Sequence, residues 1–258
     1  MELGIKDQLF IVGGATSGLG KAISHMLLEE GARIVAIART KSKLEKLKNF
    51  APERVAIVAG DLSSETTLDK ILETIGDRQV HGAVINSGGP PAMSVLETTM
   101  ENWDAAYQNV VRWKILLTKK LIPLMKPYHY GRLLYIESVT VKVPLENMVL
   151  SNAMRLAMVG FVKTLSQEIG NSGITLNILG PGYHETQRMV DLFKKNSEIK
   201  NISVDDVKAA FKKQTAVGAL GDPKEFASLA CWFLAPVSKY ITGQTVSVDG
   251  GLVKGTMG

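Results

Sequence analysis

The chain has 258 residues, of which 45% are hydrophobic and 21% charged, and it carries a formal net charge of +5. This length suits one large α/β domain. No apolar run approaches the roughly 18 residues that a bilayer span needs, and the start of the chain does not resemble a secretory leader, so we expect neither.

The basic residues and the scarce metal-binding residues exclude two further classes of function. The lysines are dispersed and lack interleaved aromatic residues, which argues against nucleic-acid binding. The four histidines are scattered without metal-ligand spacing, so we expect no metal site. The single cysteine, Cys231, excludes an intrachain disulfide and favours a cytoplasmic location.

Short runs rich in Val and Ile alternate with longer segments of helical period along the whole chain. We predict strands at 10–12, 33–38, 55–59, 83–86, 133–137, 175–179 and 245–248, and helices at 18–30, 65–75, 102–125 and 152–169. Strands that are apolar throughout are typical of a parallel sheet covered on both faces. The chain is therefore predicted to be a single α/β domain over 1–258, a Rossmann-type doubly wound parallel sheet of about seven strands with helices on both faces.

A glycine-rich loop lies between the first predicted strand and the helix that follows it. Glycines allow a tight turn close to a pyrophosphate, and the helix N-terminus offers unpaired N–H groups and a positive dipole end. The strand before the loop and the helix after it give this motif its specificity. The expected cofactor contacts are Gly14, Thr16, Ser17, Gly18, Leu19 and Gly20.

The end of the second strand predicts which dinucleotide binds. A carboxylate about twenty residues past the glycines would bind a ribose 2′-hydroxyl, whereas an arginine accommodates a 2′-phosphate. The chain has Arg39 there and no carboxylate, and Lys41 and Lys43 add positive charge. This predicts NADP in preference to NAD; the alternative is that Arg39 is an ordinary solvated side chain.

Four further motifs follow in order: Asp61-Leu62, Asn86-Ser87-Gly88-Gly89, Pro181-Gly182 with Thr186, and Val248-Asp249-Gly250-Gly251. Together with the glycine loop they resemble the short-chain dehydrogenase/reductase family over nearly the whole chain, and within it the 3-oxoacyl-[acyl-carrier-protein] reductases. The resemblance implies an NADP-dependent oxidoreductase. It also implies cofactor contacts from Asp61, Leu62, Asn86, Gly88, Pro181, Gly182 and Thr186.

The same resemblance implies a catalytic set, and this chain departs from it. Ser138 matches the family serine that binds the carbonyl, and Asn109 matches the asparagine that steadies a water relay. The family tyrosine that donates the proton is replaced by Ser151, and the lysine four residues later by Arg155. An aliphatic hydroxyl is a far weaker acid than a phenol, whose pKa is near 10. Arg155 can still bind ribose hydroxyls or an anionic group.

Three interpretations remain open. In the first, the protein is an NADP(H)-dependent oxidoreductase of a carbonyl/alcohol pair in which Tyr183, His184 or a water replaces the usual acid. In the second, it is a catalytically inactive dinucleotide-binding sensor or subunit. In the third, it is a different enzyme whose two serines and Arg155 grip an anionic substrate. Retention of Asn109 and Ser138 favours the first interpretation.

The segment 183–220 interrupts the alternation of strands and helices. It is long, polar and rich in lysine, with Asn201 and Ser203 as predicted helix starts. It follows the sixth strand and would lie over the carboxyl edge of the sheet, where ligands bind. We predict a substrate lid there; the alternative is a surface insertion without function.

Two predicted long helices, 102–125 and 152–169, carry broad apolar faces with small residues such as Ala153, Ala157 and Gly160. In the resembling family these helices pair across a two-fold axis, which implies a homodimer or homotetramer. The alternative is that both faces are covered within the chain.

Overall fold

The structure, a computed structural model, describes residues 2–256; residues 1, 257 and 258 of the predicted domain lie outside this range. Its centre is a parallel sheet of seven strands in the order β3-β2-β1-β4-β5-β6-β7. The strands are β1 (Leu9–Gly13), β2 (Arg33–Ala38), β3 (Val55–Ala59), β4 (Gly82–Ile85), β5 (Gly131–Ile136), β6 (Ile174–Pro181) and β7 (Thr245–Val248). The predicted sheet is confirmed.

The strand order reverses at β1, which pairs with β2 on one side and β4 on the other. Ile11 is aligned with Val35 of β2 and with Ala83 of β4. At such a reversal the connections leave the sheet in opposite directions and open a crevice at the carboxyl ends of the strands. The glycine-rich loop leaves β1 at this point, so the topology positions it for ligand binding.

Helices cover both faces of the sheet. They are α1 (Gly18–Glu29), α2 (Lys41–Phe50), α3 (Glu65–Ile75), α4 (Met100–Tyr107), α5 (Trp113–Met125), α6 (Val149–Glu168), α7 (Gln187–Lys200), α8 (Val204–Lys212) and α9 (Pro223–Leu234). None of them, within residues 2–256, has the length and apolar character of a membrane span.

Alternate residues of β1 belong to two different cores, because successive side chains of a strand point to opposite faces. Leu9 and Ile11 pack on the side of α3, α5 and α6. Phe10 and Val12 pack on the side of α1, α2 and α9. A strand buried on both faces is apolar at every position, which is the pattern that predicted the parallel sheet.

The predicted helix 102–125 is divided in the structure. Helix α4 is followed by a wide π-helical turn, Gln108–Arg112, before α5 begins. Within that turn the Trp113 indole N–H donates to the Asn109 carbonyl at 2.9 Å. The helical backbone predicted for 102–125 is thus present, with one π-turn inside it, and turns of this kind are frequent at functional sites.

The segment 183–220 contains α7 and α8. Ser203 caps α8, its Oγ accepting the Asp206 N–H at 3.0 Å, so this predicted helix start is confirmed. Asn201 instead ends α7 with a left-handed backbone, φ 51°. The prediction that it starts a helix was wrong, because asparagine tolerates the left-handed conformation that closes a helix.

Candidate active site and cofactor cleft

A cleft of about 610 Å³ opens at the carboxyl ends of β1 to β4. Its walls come from the loops after these strands, from α4 and the π-turn, and from the start of α6. Of the residues predicted to bind cofactor or substrate, it is lined by Gly14, Thr16, Ser17, Arg39, Asp61, Leu62, Gly88 and Asn109. Asn109 thus joins the cofactor residues in one cleft, whereas Ser138, Ser151, Arg155, Tyr183 and His184 do not line it.

The glycine loop is packed too tightly for side chains at two of its positions. Gly14 has a positive φ of 62°, and a Cβ built on Gly20 would lie 2.4 Å from the Gly14 carbonyl oxygen. The Asn86 side-chain N–H donates to the Gly13 carbonyl at 3.1 Å and ties the loop to the end of β4. The sequence requires glycine here for the close approach of backbone to backbone.

The charged end of the cleft contains Arg39, Lys43 and Asp61. The Asp61 carboxylate accepts hydrogen bonds from the Ser63 N–H at 2.9 Å and the Ser63 hydroxyl at 2.8 Å. These bonds, with a smaller contribution from the Arg39 charge, lower the pKa of Asp61. The carboxylate is therefore charged near neutral pH and already engaged, whereas Arg39 and Lys43 present cations to the cleft.

The loop after β6 lies against the glycine loop. A Cβ built on Gly18 would be 3.6 Å from the Thr186 methyl carbon. Pro181 is aligned with Val248 of β7, and the Gly182 N–H donates to the Val248 carbonyl at 2.9 Å. The residues predicted to surround the nicotinamide are thus held beside the start of α1.

Ser138 follows β5 and begins a single 3₁₀ turn. Its Oγ accepts the Thr140 N–H at 3.2 Å, and the hydroxyl retains its own proton for donation. Ser151 and Arg155 lie one turn apart on α6, and the Arg155 Nε donates to the Ser151 Oγ at 3.1 Å. Both α6 side chains are buried. The arginine therefore orients the serine hydroxyl as a hydrogen-bond acceptor.

Beneath these residues lies a buried cluster of charges. Glu137 Oε1 is 2.5 Å from Lys114 Nζ, and Glu137 Oε2 is 3.1 Å from Arg155 Nη1. Arg155 Nη1 also donates to the Glu137 carbonyl at 2.8 Å. Burial lowers the pKa of Lys114 to about 8, although the Glu137 charge acts to raise it. Lys114 and Arg155 thus share the buried carboxylate of Glu137.

Sequence reasoning missed Lys114 as part of the site. The available signal is its position on the apolar face of α5, at helical spacing from Val110, Leu117 and Leu121. A lysine on such a face needs a buried counter-charge. Glu137 supplies this counter-charge, but strand alternation alone did not indicate that its side chain points towards Lys114.

Tyr183 is held by the segment that follows it. Its hydroxyl donates to the Gln214 side-chain oxygen at 3.1 Å, and its ring packs against Phe211 of α8, with centroids 4.7 Å apart. Burial raises the pKa of Tyr183. These contacts fasten α8 and the residues that follow it to the loop after β6.

His184 is enclosed in the fold. Its ring lies 5.2 Å from the Phe226 ring, and Nδ1 is 3.3 Å from the Gly182 carbonyl oxygen. Burial lowers the pKa of His184. Among the described residues, neither this side chain nor that of Tyr183 hydrogen-bonds to Ser138 or Ser151.

Two guanidinium groups converge on Gly89, in the wall of the cleft. A Cβ built on Gly89 would lie 2.9 Å from Arg155 Nη2 and 3.3 Å from Arg188 Nη1. Arg188 is the second residue of α7. Desolvation lowers the pKa of Arg188, and the neighbouring Arg155 charge lowers it further. Sequence reasoning did not identify Arg188.

No three His, Cys, Asp or Glu side chains come together as metal ligands anywhere in 2–256.

A family model described as enoyl-(acyl carrier protein) reductase matches residues 14–253. The chain belongs to the short-chain dehydrogenase/reductase family. Similar curated members are the 3-oxoacyl-[acyl-carrier-protein] reductases FabG of Vibrio cholerae, 26% identical over 252 residues, and of Escherichia coli, 25% identical over 254 residues. Each alignment covers 97% of this chain and 99% of the relative.

Two solved structures are similar to this fold. One is YwfH, an NADPH-dependent reductase involved in bacilysin biosynthesis, with 27% identity and a TM-score of 0.90 over 97% of this chain and all of that one. The other is the L-sorbose reductase of Gluconobacter frateurii, in complex with NADPH and L-sorbose, with 24% identity and a TM-score of 0.93 over 99% of this chain and all of that one. The second similarity concerns the fold alone.

Proposed function

We propose that the protein is an NADP(H)-dependent oxidoreductase that interconverts a carbonyl and an alcohol, with a proton donor other than the family tyrosine. One observation carries the proposal: a single cleft is lined by the glycine loop, by Arg39 and by Asn109. A cofactor bound along this cleft would extend from the cations Arg39 and Lys43 towards Asn109. The nicotinamide, when bound, supplies or accepts the hydride.

The cleft fits a dinucleotide that carries a 2′-phosphate. A Cβ added at Gly88 would meet nothing within 4 Å, so the wall beside this glycine has space for a ligand. Arg39 and Lys43 offer positive charge, and Arg39 a planar fork of donors, at the end of β2. The NADPH dependence of YwfH, a relative of 27% identity, supports the same choice.

The charges below the site support reduction of a carbonyl. Hydride transfer produces an alkoxide, and preorganised donors and cations stabilise such an anion in a site shielded from water. The Ser138 hydroxyl donates a hydrogen bond to the oxygen, and Arg155, held by Glu137 and Ser151, supplies positive charge. In family members that have the tyrosine, its phenol helps to stabilise this alkoxide. In this protein we assign that stabilisation to the cluster of Lys114, Glu137 and Arg155.

The proton itself comes from water in this proposal. Tyr183 and His184 are less suitable, because the first is bonded to Gln214 and the second is enclosed against Phe226. If either side chain were the acid, Tyr183→Phe or His184→Gln would abolish turnover and remove a titration from the pH profile of kcat. We expect both variants to retain measurable turnover.

We also propose a substrate lid and association of the chain into an oligomer. Residues 183–220, with α7 and α8, form a substrate lid attached by Tyr183. The outer face of α6 exposes Ala153, Ala157, Gly160 and the large side chain of Leu156, which is 52% exposed. An apolar face of small residues left open to solvent supports pairing with a second copy, as a homodimer or homotetramer.

The direct test is oxidation of NADPH with a panel of aldehydes and ketones. We expect turnover by the natural chain, and a decrease of about 10²–10³-fold in kcat for Ser138→Ala, since one donor to the developing oxyanion is removed. The affinity for NADPH, measured by calorimetry, should be little changed. If the natural chain oxidised NADPH with none of these carbonyl compounds, the proposed oxidoreductase activity would be contradicted.

A further inference from the structure

The two arginines at Gly89 leave positive charge uncompensated beside the reacting end of the cleft. Arg155, Lys114 and Arg188 are three cations, and Glu137 is the one carboxylate that forms ion pairs within this group. Glu137 uses both its oxygens on Lys114 and Arg155. Among residues 2–256, no carboxylate forms an ion pair with Arg188.

Among residues 2–256, neither Arg155 Nη2 nor the Arg188 guanidinium forms a hydrogen bond, and the bonds of Arg155 use Nε and Nη1. Arg155 directs Nε to Ser151 and Nη1 to Glu137, so Nη2 is the nitrogen that faces Gly89. Arg188 brings Nη1 and Nη2 to within 3.4 Å of the same point. Desolvation and the repulsion between the two positive charges lower the pKa of Arg188, and an anion beside them would offset this repulsion. A carboxylate matches the planar fork of a guanidinium.

We propose that Arg155 and Arg188 together bind a carboxylate of the substrate, so that the carbonyl reduced by this protein belongs to a short oxo acid. The inference rests on the proposed oxidoreductase and names its substrate class. Arg188 lies in the first turn of α7, so the same contact draws the lid onto the bound acid. The neutral esters and thioesters of such acids lack the group that these arginines recognise.

The cofactor offers a second source of the same chemistry, namely its diphosphate. Two features favour the substrate. The glycine loop and the start of α1 already provide backbone N–H groups for a diphosphate. Arg155, in contrast, is held beside the reacting end of the cleft by Ser151 and by Glu137, the residue that precedes Ser138. The experiment separates the two sources by measuring them independently.

The probes are 3-oxobutanoate and its ethyl ester, which differ in the carboxylate. For the natural chain we expect kcat/KM with NADPH to be higher for the acid. Arg188→Gln should lower kcat/KM about 10- to 100-fold more for the acid than for the ester, the range for a hydrogen bond to a charged group. Arg188→Lys should recover part of the loss, and Lys70→Gln, a neutral variant of an exposed lysine on α3, should behave as the natural chain.

Calorimetry gives the second readout. Binding of 3-hydroxybutanoate to the complex with NADP⁺ should weaken in Arg188→Gln, whereas the Kd for NADP⁺ should change less than about threefold, since Arg188 makes no cofactor contact in this proposal. A large loss of NADP⁺ affinity would assign the arginine to the diphosphate. An equal loss for acid and ester would make Arg188 a structural residue. Arg188-dependent binding of the acid without turnover would retain the anion site and refute the oxidoreductase.

Discussion

The Lys114 ammonium and the Glu137 carboxylate lie 2.5 Å apart where neither side chain is more than 1% exposed. Glu137 also binds Arg155, one turn of α6 from Ser151. Ser151 and Arg155 are therefore positioned by a buried cluster of two cations and one anion. The stability of the protein and the orientation of Arg155 both depend on this cluster.

Glu137→Gln should destabilise the protein strongly. It leaves two buried cations without a counter-charge, at a cost of about 3–5 kcal/mol in the free energy of unfolding measured with urea. The matched control is Asp69→Asn, which breaks the exposed pair with Lys120 at 3.0 Å and should cost about 1 kcal/mol or less. Equal losses for the two variants would contradict the cluster.

The titration of Lys114 should make stability depend on pH. Its pKa is about 8 in the folded protein and 10.5 for an ordinary lysine, so the unfolded chain binds more protons between these values. The free energy of unfolding of the natural chain should therefore rise relative to that of Lys114→Met from pH 8 to pH 10.5, with a constant difference below pH 8. If the free energies of unfolding of the two proteins changed in parallel between pH 8 and pH 10.5, Lys114 would not be desolvated.

Arg39→Ala should reduce the preference for NADPH over NADH. Removal of the guanidinium should weaken NADPH binding about 10- to 100-fold, as expected for charge-assisted bonds to a phosphate, and leave NADH binding nearly unchanged. Calorimetry with both cofactors measures the ratio. Lys48→Ala, in the last turn of α2 and outside the cleft, is the control. A ratio unaltered by the Arg39 substitution would remove this residue from the cofactor site.

Much of the fold followed from local pattern. The strands β2, β3 and β7 have the bounds expected from their apolar runs, because turn residues and helical segments flank them. The glycine loop was equally readable, since its function depends on backbone that only glycine permits. These features are recorded in neighbouring residues, so a single sequence suffices to find them.

The parts that escaped prediction depend on packing between remote elements. Lys114 and Glu137 are 23 residues apart, on a helix and at the end of a strand, so nothing local in the sequence pairs the two charges. Arg188 reaches Gly89 across almost a hundred residues, because α7 folds back over the sheet edge. The π-turn at Asn109 likewise has no clear signature in the surrounding helical pattern.

Ala157→Arg should disrupt assembly through the exposed face of α6. A charged side chain placed among Ala153, Leu156 and Gly160 would oppose close packing of two helices, so light scattering after gel filtration should give a smaller species than for the natural chain. Asn49→Arg, on the exposed last turn of α2, serves as the control. If both variants keep the mass of the natural chain, the α6 face is not the interface.

Hydride transfer by the protein can be followed directly with a labelled cofactor. The natural chain is incubated with NADPH carrying deuterium at the transferred position and with 3-oxobutanoate or its ethyl ester, and the alcohol is analysed by mass spectrometry. We expect one deuterium in the alcohol formed by the natural chain, with Ser151 and Arg155 in place. Tight binding of NADPH with no labelled alcohol, restored only in Ser151→Tyr/Arg155→Lys, would contradict it and identify a dinucleotide-binding protein without catalysis.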